Sequence, residues 1–579
     1  GDGENWRIID RNKYTDVTGP GGIYGAPDDH APLWALGWDH KSVLLALCEN
    51  GEWSRYRLPK GSFTHEADHG WYTEWPRIRE VGAGRWLMDM FGQLFDFPAT
   101  FRHNQTYGIR PLAVHHKMIV DFAKWGDGIV MACNDASKFD NPILGRSQSN
   151  LWFTTYDELA KMAKPAGWGG VWVKEPVKAH TPSEPYLLAG YERRVLHLSH
   201  TEEKAVSFLL EIDKDGRGNW EQLDTVHVSG SGYAYCILPQ KLKAEWIRVH
   251  ADSDVREATA YFHYTPSSGS ELDPKLVRGV AAVGEATRVS AGILRPDGDD
   301  QLTLQYAASV IDEDGQLIEQ GWYEIGEDLK LRKSEKPDVE QRIRQEFSPK
   351  LDFNEDESSV IVEDSSGKRY RLPKGDKAYG KPSSIGWPRG VREVVTERSL
   401  MNIHGSFYEL PRESSGGLAA IQPICTHNRQ IYDFASWRGM LVISGCALNA
   451  DDGDHLVRSE DERAALWFGN VDDLRKFGSP KGIGGPLMNT LLQPGCASDP
   501  YLMAGYLQKS VELSHDHPKD VKFTIEVDFL ANGTWVTYDT ISVPAGTKMV
   551  HPFPDGFSAH WVRIQADQEC RASATFIYK

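Results

Sequence analysis

The chain has 579 residues, 40% of them hydrophobic, with 19 Trp, 22 Tyr and 21 Phe, enough apolar material for a large packed core and too much for a disordered tail. Its formal charge of −18 excludes a nucleic-acid backbone as partner, because phosphate binding relies on concentrated Lys and Arg. No run approaches the roughly 18 to 20 apolar residues that span a bilayer, and the seven cysteines lack a C-x-x-C pair and read as mostly free thiols. A soluble protein without membrane insertion is expected, cytoplasmic, or secreted or periplasmic if a signal peptide has been removed.

In chain order, short runs of β-branched and aromatic residues predict strands at Met118 to Phe122, Ile129 to Cys133, Leu151 to Thr154, Val195 to Leu198, Val206 to Ile212, Trp246 to Val249 and Ala258 to Tyr264. Gly, Asp and Asn bound these runs, as strand ends require. Helical periodicity is confined to Tyr156 to Ala163, Asp338 to Phe347 and Val471 to Phe477. Thr265 to Asp273, with Pro266, Ser267, Ser268 and Gly269, predicts a linker, and the charged stretch Lys333 to Glu357 a surface excursion.

The strongest signal is an internal repeat. Arg-Tyr-Arg-Leu-Pro-Lys-Gly at Arg55 to Gly61 returns at Arg369 to Gly375, and the copies stay in step with shifts of 312 to 315 residues. Trp75-Pro76-Arg77 returns as Trp387-Pro388-Arg389, Asp121-Phe122 with Trp125 as Asp433-Phe434 with Trp437, and Pro185-Tyr186-Leu187 as Pro500-Tyr501-Leu502. The expected architecture is all-β, a β-propeller closed by two duplicated halves. The first half is 1–265, with blades to about 190 and a blade or small β-sandwich at 191–264. After a linker at 266–275, the second half is 276–579, with blades to about 505 and the matching unit at 506–579.

Duplication supplies an internal control, since a position polar in one copy and bland in the other marks a specialised site. His65-Glu66-Ala67-Asp68-His69 matches H-E-x-x-H, but that zinc chemistry needs a helix and this stretch lies between glycines, so no metal is assigned. The same loop crowds His69, Trp71 and Glu74, where the second copy has no His or Glu. His115 is shared with His427, which favours a structural role, whereas His116 faces Asn428 in the alignment. Gln148 and Asn150 align with Arg463 and Ala465, and amides suit sugar hydroxyls. Trp75 and Arg77 occur in both copies. The Asn449 to His455 cluster lacks calcium-loop spacing and reads as an acidic turn, and neither a phosphate loop nor a G-x-S-x-G elbow is present.

Thr18 to Gly25, Glu74 to Arg77, Gln148 to Phe153 and the two Trp-x-Arg-x-x-Ala-Asp units, Trp246 to Asp252 and Trp561 to Asp567, resemble large, mostly uncharacterised bacterial β-propeller proteins associated with glycan breakdown. More distantly, a propeller with a His-bearing funnel is similar to propeller-type polysaccharide lyases and related rhamnosidases, an analogy of fold. The resemblance implies a carbohydrate-active enzyme, an exo-acting glycoside hydrolase without cofactor acting on an oligosaccharide or polysaccharide. Glu74 and Asp135 are the candidate carboxylates, with His116 or His115 as proton donor. His69, Trp71, Trp75, Arg77, Gln148 and Asn150 would bind substrate. The alternatives are a lyase acting on a uronate-containing glycan and a non-catalytic glycan-binding protein. The oligomeric state is not legible.

Overall fold

The computed structural model describes residues 8–25, 28–62, 76–134, 149–297, 302–347, 353–380, 390–395, 398–451 and 453–579. It is mostly β, distributed over nine sheets among the described residues. The first half begins with three antiparallel meanders: a first sheet at 13–58, a second at 77–114 and a third, three-stranded, at 118–154. Tight turns set their register. Asn50 and Gly51 join Val43–Glu49 to Glu52–Leu58 with φ of 52° and 79°, the two left-handed positions a two-residue hairpin demands.

Residues 167–265 then form two four-strand layers around a shared core, in which Tyr186 stacks on Phe262 with ring centroids 4.5 Å apart. One layer is continuous with the first sheet, because Tyr186 pairs in parallel with Arg57. The second half repeats this joint with Arg371 and Tyr501. Its sheets at 354–372, 390–426 and 433–469 follow the same order and are again followed by a two-layer unit, at 482–578. The helix starts are duplicated too: Thr155 with Glu158 and Asn470 with Asp473 each form a reciprocal capping box. The first of these helices is short, Tyr156–Leu159, and the second is a 3₁₀ turn, Val471–Lys476.

Among the described residues one sheet occurs once. Val289–Asp297, Thr303–Ile311, Leu317–Ile325 and Leu331–Lys333 form a sheet ahead of the second copy. Its Leu294, Tyr306 and Tyr323 pack on Trp437, Val442 and Leu466 of the 433–469 sheet. The charged stretch beyond it contains a helix, Pro337–Glu346, anchored by Ile343 beside Trp322 and by Arg344, whose guanidinium donates to the Ala308 carbonyl at 2.6 Å. The second sheet packs on the third, and the 390–426 and 289–333 sheets pack on opposite sides of the 433–469 sheet's first strand. These neighbours make two runs of face-packed sheets, and the strand pairing does not link them into a closed ring.

The halves meet along a seam. The two-layer units interlock through Tyr235 stacked on Tyr538 and His197 stacked on Phe529, with centroids 5.7 and 4.6 Å apart. The linker segment is tied down at both ends: Ser267 donates to Glu192, and Ser479 donates to the Ser270 carbonyl. None of the seven cysteines forms a disulfide. Among the described residues no helix is long and apolar enough to cross a membrane.

Candidate functional site

Two adjacent histidines open the strand Met118–Trp125, and they face different partners. His115 is 2% exposed. Its Nε2 lies 2.8 Å from Asp89 Oδ1, and its backbone N–H donates to the Gly92 carbonyl. The counterpart His427 repeats this contact with Asn402 Oδ1 at 3.1 Å. Burial pushes the His427 imidazole down to about 3, so it is a neutral framework group. The shared histidine therefore holds the end of the second sheet onto the start of the third in both copies.

His116 reaches the other way, across the seam. Its backbone N–H donates to Asp472 Oδ1 at 2.8 Å, and its Nδ1 lies 3.5 Å from Glu409 Oε2. Ser62 Oγ donates to the other oxygen of Glu409 at 2.6 Å. His116, Ser62, Glu409 and Asp472 are all buried, whereas Asn428, which stands in the place of His116 in the second copy, is exposed. A first-half serine and histidine thus converge on second-half acids. Lys117, next in sequence, is buried with its Nζ 4.9 Å from the Trp152 ring.

Glu74, His69, Trp71 and Trp75 fall in 63–75, and Asp135 and Gln148 in 135–148, outside the described residues. The described ends of both stretches gather at this place. Ser62, on Glu409, precedes the first, and Pro76 and Arg77 follow it. Arg77 Nε lies 3.6 Å from Asp121 Oδ2, three residues into the strand that His116 opens. Asn134 and Ser149, which bracket the second stretch, pair with each other, and Asn134 also pairs with Met118. Asn150 pairs with Cys133 and abuts the second half, since a Cβ on Gly439 would sit 2.7 Å from the Asn150 Cγ. His116, Arg77 and Asn150 are thereby gathered at one end of the third sheet, with His116 inside the seam.

The structure also shows a groove that sequence comparison missed. It measures about 570 Å³ and runs over the third sheet beneath Pro20 to Tyr24, with Arg79, Glu80, Asp121 and Leu151 in its wall. Arg79 sits between two carboxylates, its Nη1 3.3 Å from Asp16 Oδ1 and its Nε 3.3 Å from Asp121 Oδ1. The groove eluded residue-by-residue comparison because its sheet residues, such as Arg79, Glu80, Asp121 and Leu151, match Arg392, Glu393, Asp433 and Leu466 of the second copy. The usable signal was the unduplicated stretch before the second copy. A second polar pocket, with Asp39, Arg57, Glu184 and Lys41, is mainly framework, because Arg371 binds Asp356 and Asp499 just as Arg57 binds Asp39 and Glu184. Among the described residues no group of three His, Cys, Asp or Glu is placed to hold a metal ion.

No family model and no curated protein sequence matches the chain. Among solved structures, the PBSX exported protein XepA matches over 71% of this chain and 85% of its own length, at 7% identity and a TM-score of 0.15. A GH32 β-fructofuranosidase from Bombyx mori, as a variant in complex with sucrose, matches over 41% and 64%, at 10% identity and a TM-score of 0.12. An exo-β-1,3-galactanase from Phanerochaete chrysosporium, with galactose, matches over 43% and 68%, at 9% identity and a TM-score of 0.13. These likenesses are distant and define no common site.

Proposed function

We propose that the protein is a carbohydrate-active enzyme that cleaves glycosidic bonds, an exo-acting glycoside hydrolase, with its site at the end of the third sheet. One observation carries the reading: the only His of the aligned pair His116/Asn428 sends its imidazole across the seam to Glu409 where the described ends of 63–75 and 135–148 gather. Hydrolysis needs two carboxyl groups, one to protonate the leaving oxygen and one to activate water or attack carbon. Glu74 and Asp135, one in each stretch, take these roles. His116 is 2% exposed, so its part is to hold the seam beneath them through Glu409, rather than to touch sugar. Trp71, Trp75 and His69 would stack on sugar faces, and Arg77, Gln148 and Asn150 would bind hydroxyls.

The test is a screen of purified protein against plant, algal and bacterial polysaccharides, read by new reducing ends and by the ultraviolet absorbance of unsaturated uronates. Hydrolysis raises the first signal alone. Lyase action raises both and would move the assignment to a His or Tyr base with Arg77 on the uronate. Glu74→Gln and Asp135→Asn should each abolish turnover while leaving the melting temperature unchanged. A substrate that binds but is never cut would leave a glycan-binding protein and end the enzyme reading.

A further inference from the structure

The third sheet and its second-half twin carry matching outer faces under opposite conditions. Alternation along Met118–Trp125 puts Asp121, Ala123 and Trp125 on one face, and cross-strand pairing adds Val130, Phe153, Ala132 and Leu151. The twin face carries Asp433, Ala435, Trp437, Val442, Leu466 and Phe468 at the aligned positions. Chemistry is nearly constant between the two, but burial is not. Trp437 is 1% exposed and Leu466 0%, whereas Trp125 is 68% and Leu151 62%. The Asp433 side chain is 1% exposed and that of Asp121 49%.

The twin is covered by the unduplicated sheet. Leu294, Tyr306 and Tyr323 cap its apolar residues, and the Leu294 backbone N–H donates to Asp433 Oδ2 at 2.9 Å. The first-half face carries no such sheet among the described residues. Instead, every aromatic side chain of the described residues that is more than half exposed lies there or on its rim: Tyr24 at 93%, Trp125 at 68% and Phe153 at 61%. A patch of that kind on a chain otherwise well packed marks an interaction surface.

We infer that this face is an interface, and that its occupant is the same face of a second copy of this chain, packed sheet on sheet about a twofold axis. Three features favour that occupant. What covers the twin is an apolar β-sheet surface, so the face is shaped for one. Among the described residues this face is the exposed aromatic β-surface, and a twofold contact sets the same apolar patch against itself. Finally, with each buried aromatic contributing ~150 to 250 Å², Tyr24, Trp125 and Phe153 with Ile23 and Leu151 cover on the order of 600 Å², close to the ~800 Å² per partner of a standard interface.

Sedimentation velocity and light scattering on the full chain test this. The wild type is expected to be a dimer at micromolar concentration. Trp125→Glu with Phe153→Glu is expected to be a monomer with an unchanged circular dichroism spectrum and melting temperature. Leu491→Glu, at an exposed leucine of the second two-layer unit, is expected to remain a dimer. If the double variant does not fold, Trp125→Ala should still weaken dimerisation at least about 10-fold. A wild type that stays monomeric to roughly 100 µM, about −5.5 kcal/mol of association free energy, overturns the proposal. So does a dimer that survives the double variant, or a monomer whose face captures a polysaccharide instead.

Discussion

Acidification should loosen the seam between the two-layer units at a pH that leaves most carboxylates ionised. His197 and His263 of the first half and His560 of the second are buried in this region. The His197 Nε2–H donates to the Ser558 carbonyl at 2.9 Å, His263 Nε2–H to the Phe529 carbonyl at 2.8 Å and His560 Nε2–H to the Ile421 carbonyl at 3.0 Å. Burial drives all three imidazoles towards the neutral form, taking His263 down to about 4, His560 down to about 3 and His197 well below its ordinary range. A folded value below the unfolded value near 6.5 means that the unfolded chain binds protons first. The contribution is whole above about pH 6.5 and is lost as pH falls towards the folded values. At pH 5 the loss is about 2 kcal/mol for His263 and about 2 kcal/mol for His560. Together that is a large part of the ~5 to 15 kcal/mol that holds a folded domain.

The assay is urea unfolding at pH 7.5, 6.5 and 5.0, followed by Trp fluorescence, for the wild type and His263→Gln. The amide keeps an N–H for Phe529 and cannot titrate, so the variant should lose about 2 kcal/mol less than the wild type between pH 7.5 and 5.0. A wild type equally stable at both pH values would refute the reasoning. So would a variant with wild-type pH dependence.

Other expectations follow from single contacts. His116→Ala strips the imidazole partner from buried Glu409 and leaves the backbone N–H bond to Asp472 in place, so it should cost about 1 to 3 kcal/mol and increase proteolysis between the halves, whereas Asn428→Ala at the exposed counterpart should change stability by less than about 0.5 kcal/mol. Asp89→Asn copies the amide of Asn402 and should leave stability within about 1 kcal/mol, while Asp89→Ala should cost about 1 to 3 kcal/mol in urea unfolding. Gly439→Ala puts a Cβ against Asn150 at a backbone φ of 78° and should lower stability by about 1 to 3 kcal/mol, less in an Asn150→Ala background.

Much of the scaffold could be read locally. Strand alternation, hairpin turns such as Asn50-Gly51 and the capping residues Thr155 and Asn470 act within a few neighbours, so their pattern survives in one dimension. The match of His115 to His427 favoured a structural role for it beside its candidacy as proton donor, and both imidazoles approach the same position of the preceding sheet. The two-layer units were not distinguishable from blades, because both show period two and only the Tyr186 to Arg57 and Tyr501 to Arg371 joints separate them. Of the candidate site, His116 was legible as an oddity but not as a seam residue, since Glu409 and Asp472 belong to the other half of the chain, with Asp472 lying 356 residues further on.

By itself the sequence determined the strands, the turns, the duplication and which positions differ between copies, all consequences of short-range preferences written twice. Tertiary structure alone decided which of two like faces is covered. Asp-Phe-x-x-Trp is the same string at Asp121 and at Asp433, yet Trp125 meets solvent and Trp437 meets Leu294 and Tyr306. Burial is a property of neighbours brought in from elsewhere in the chain, and no local pattern records them.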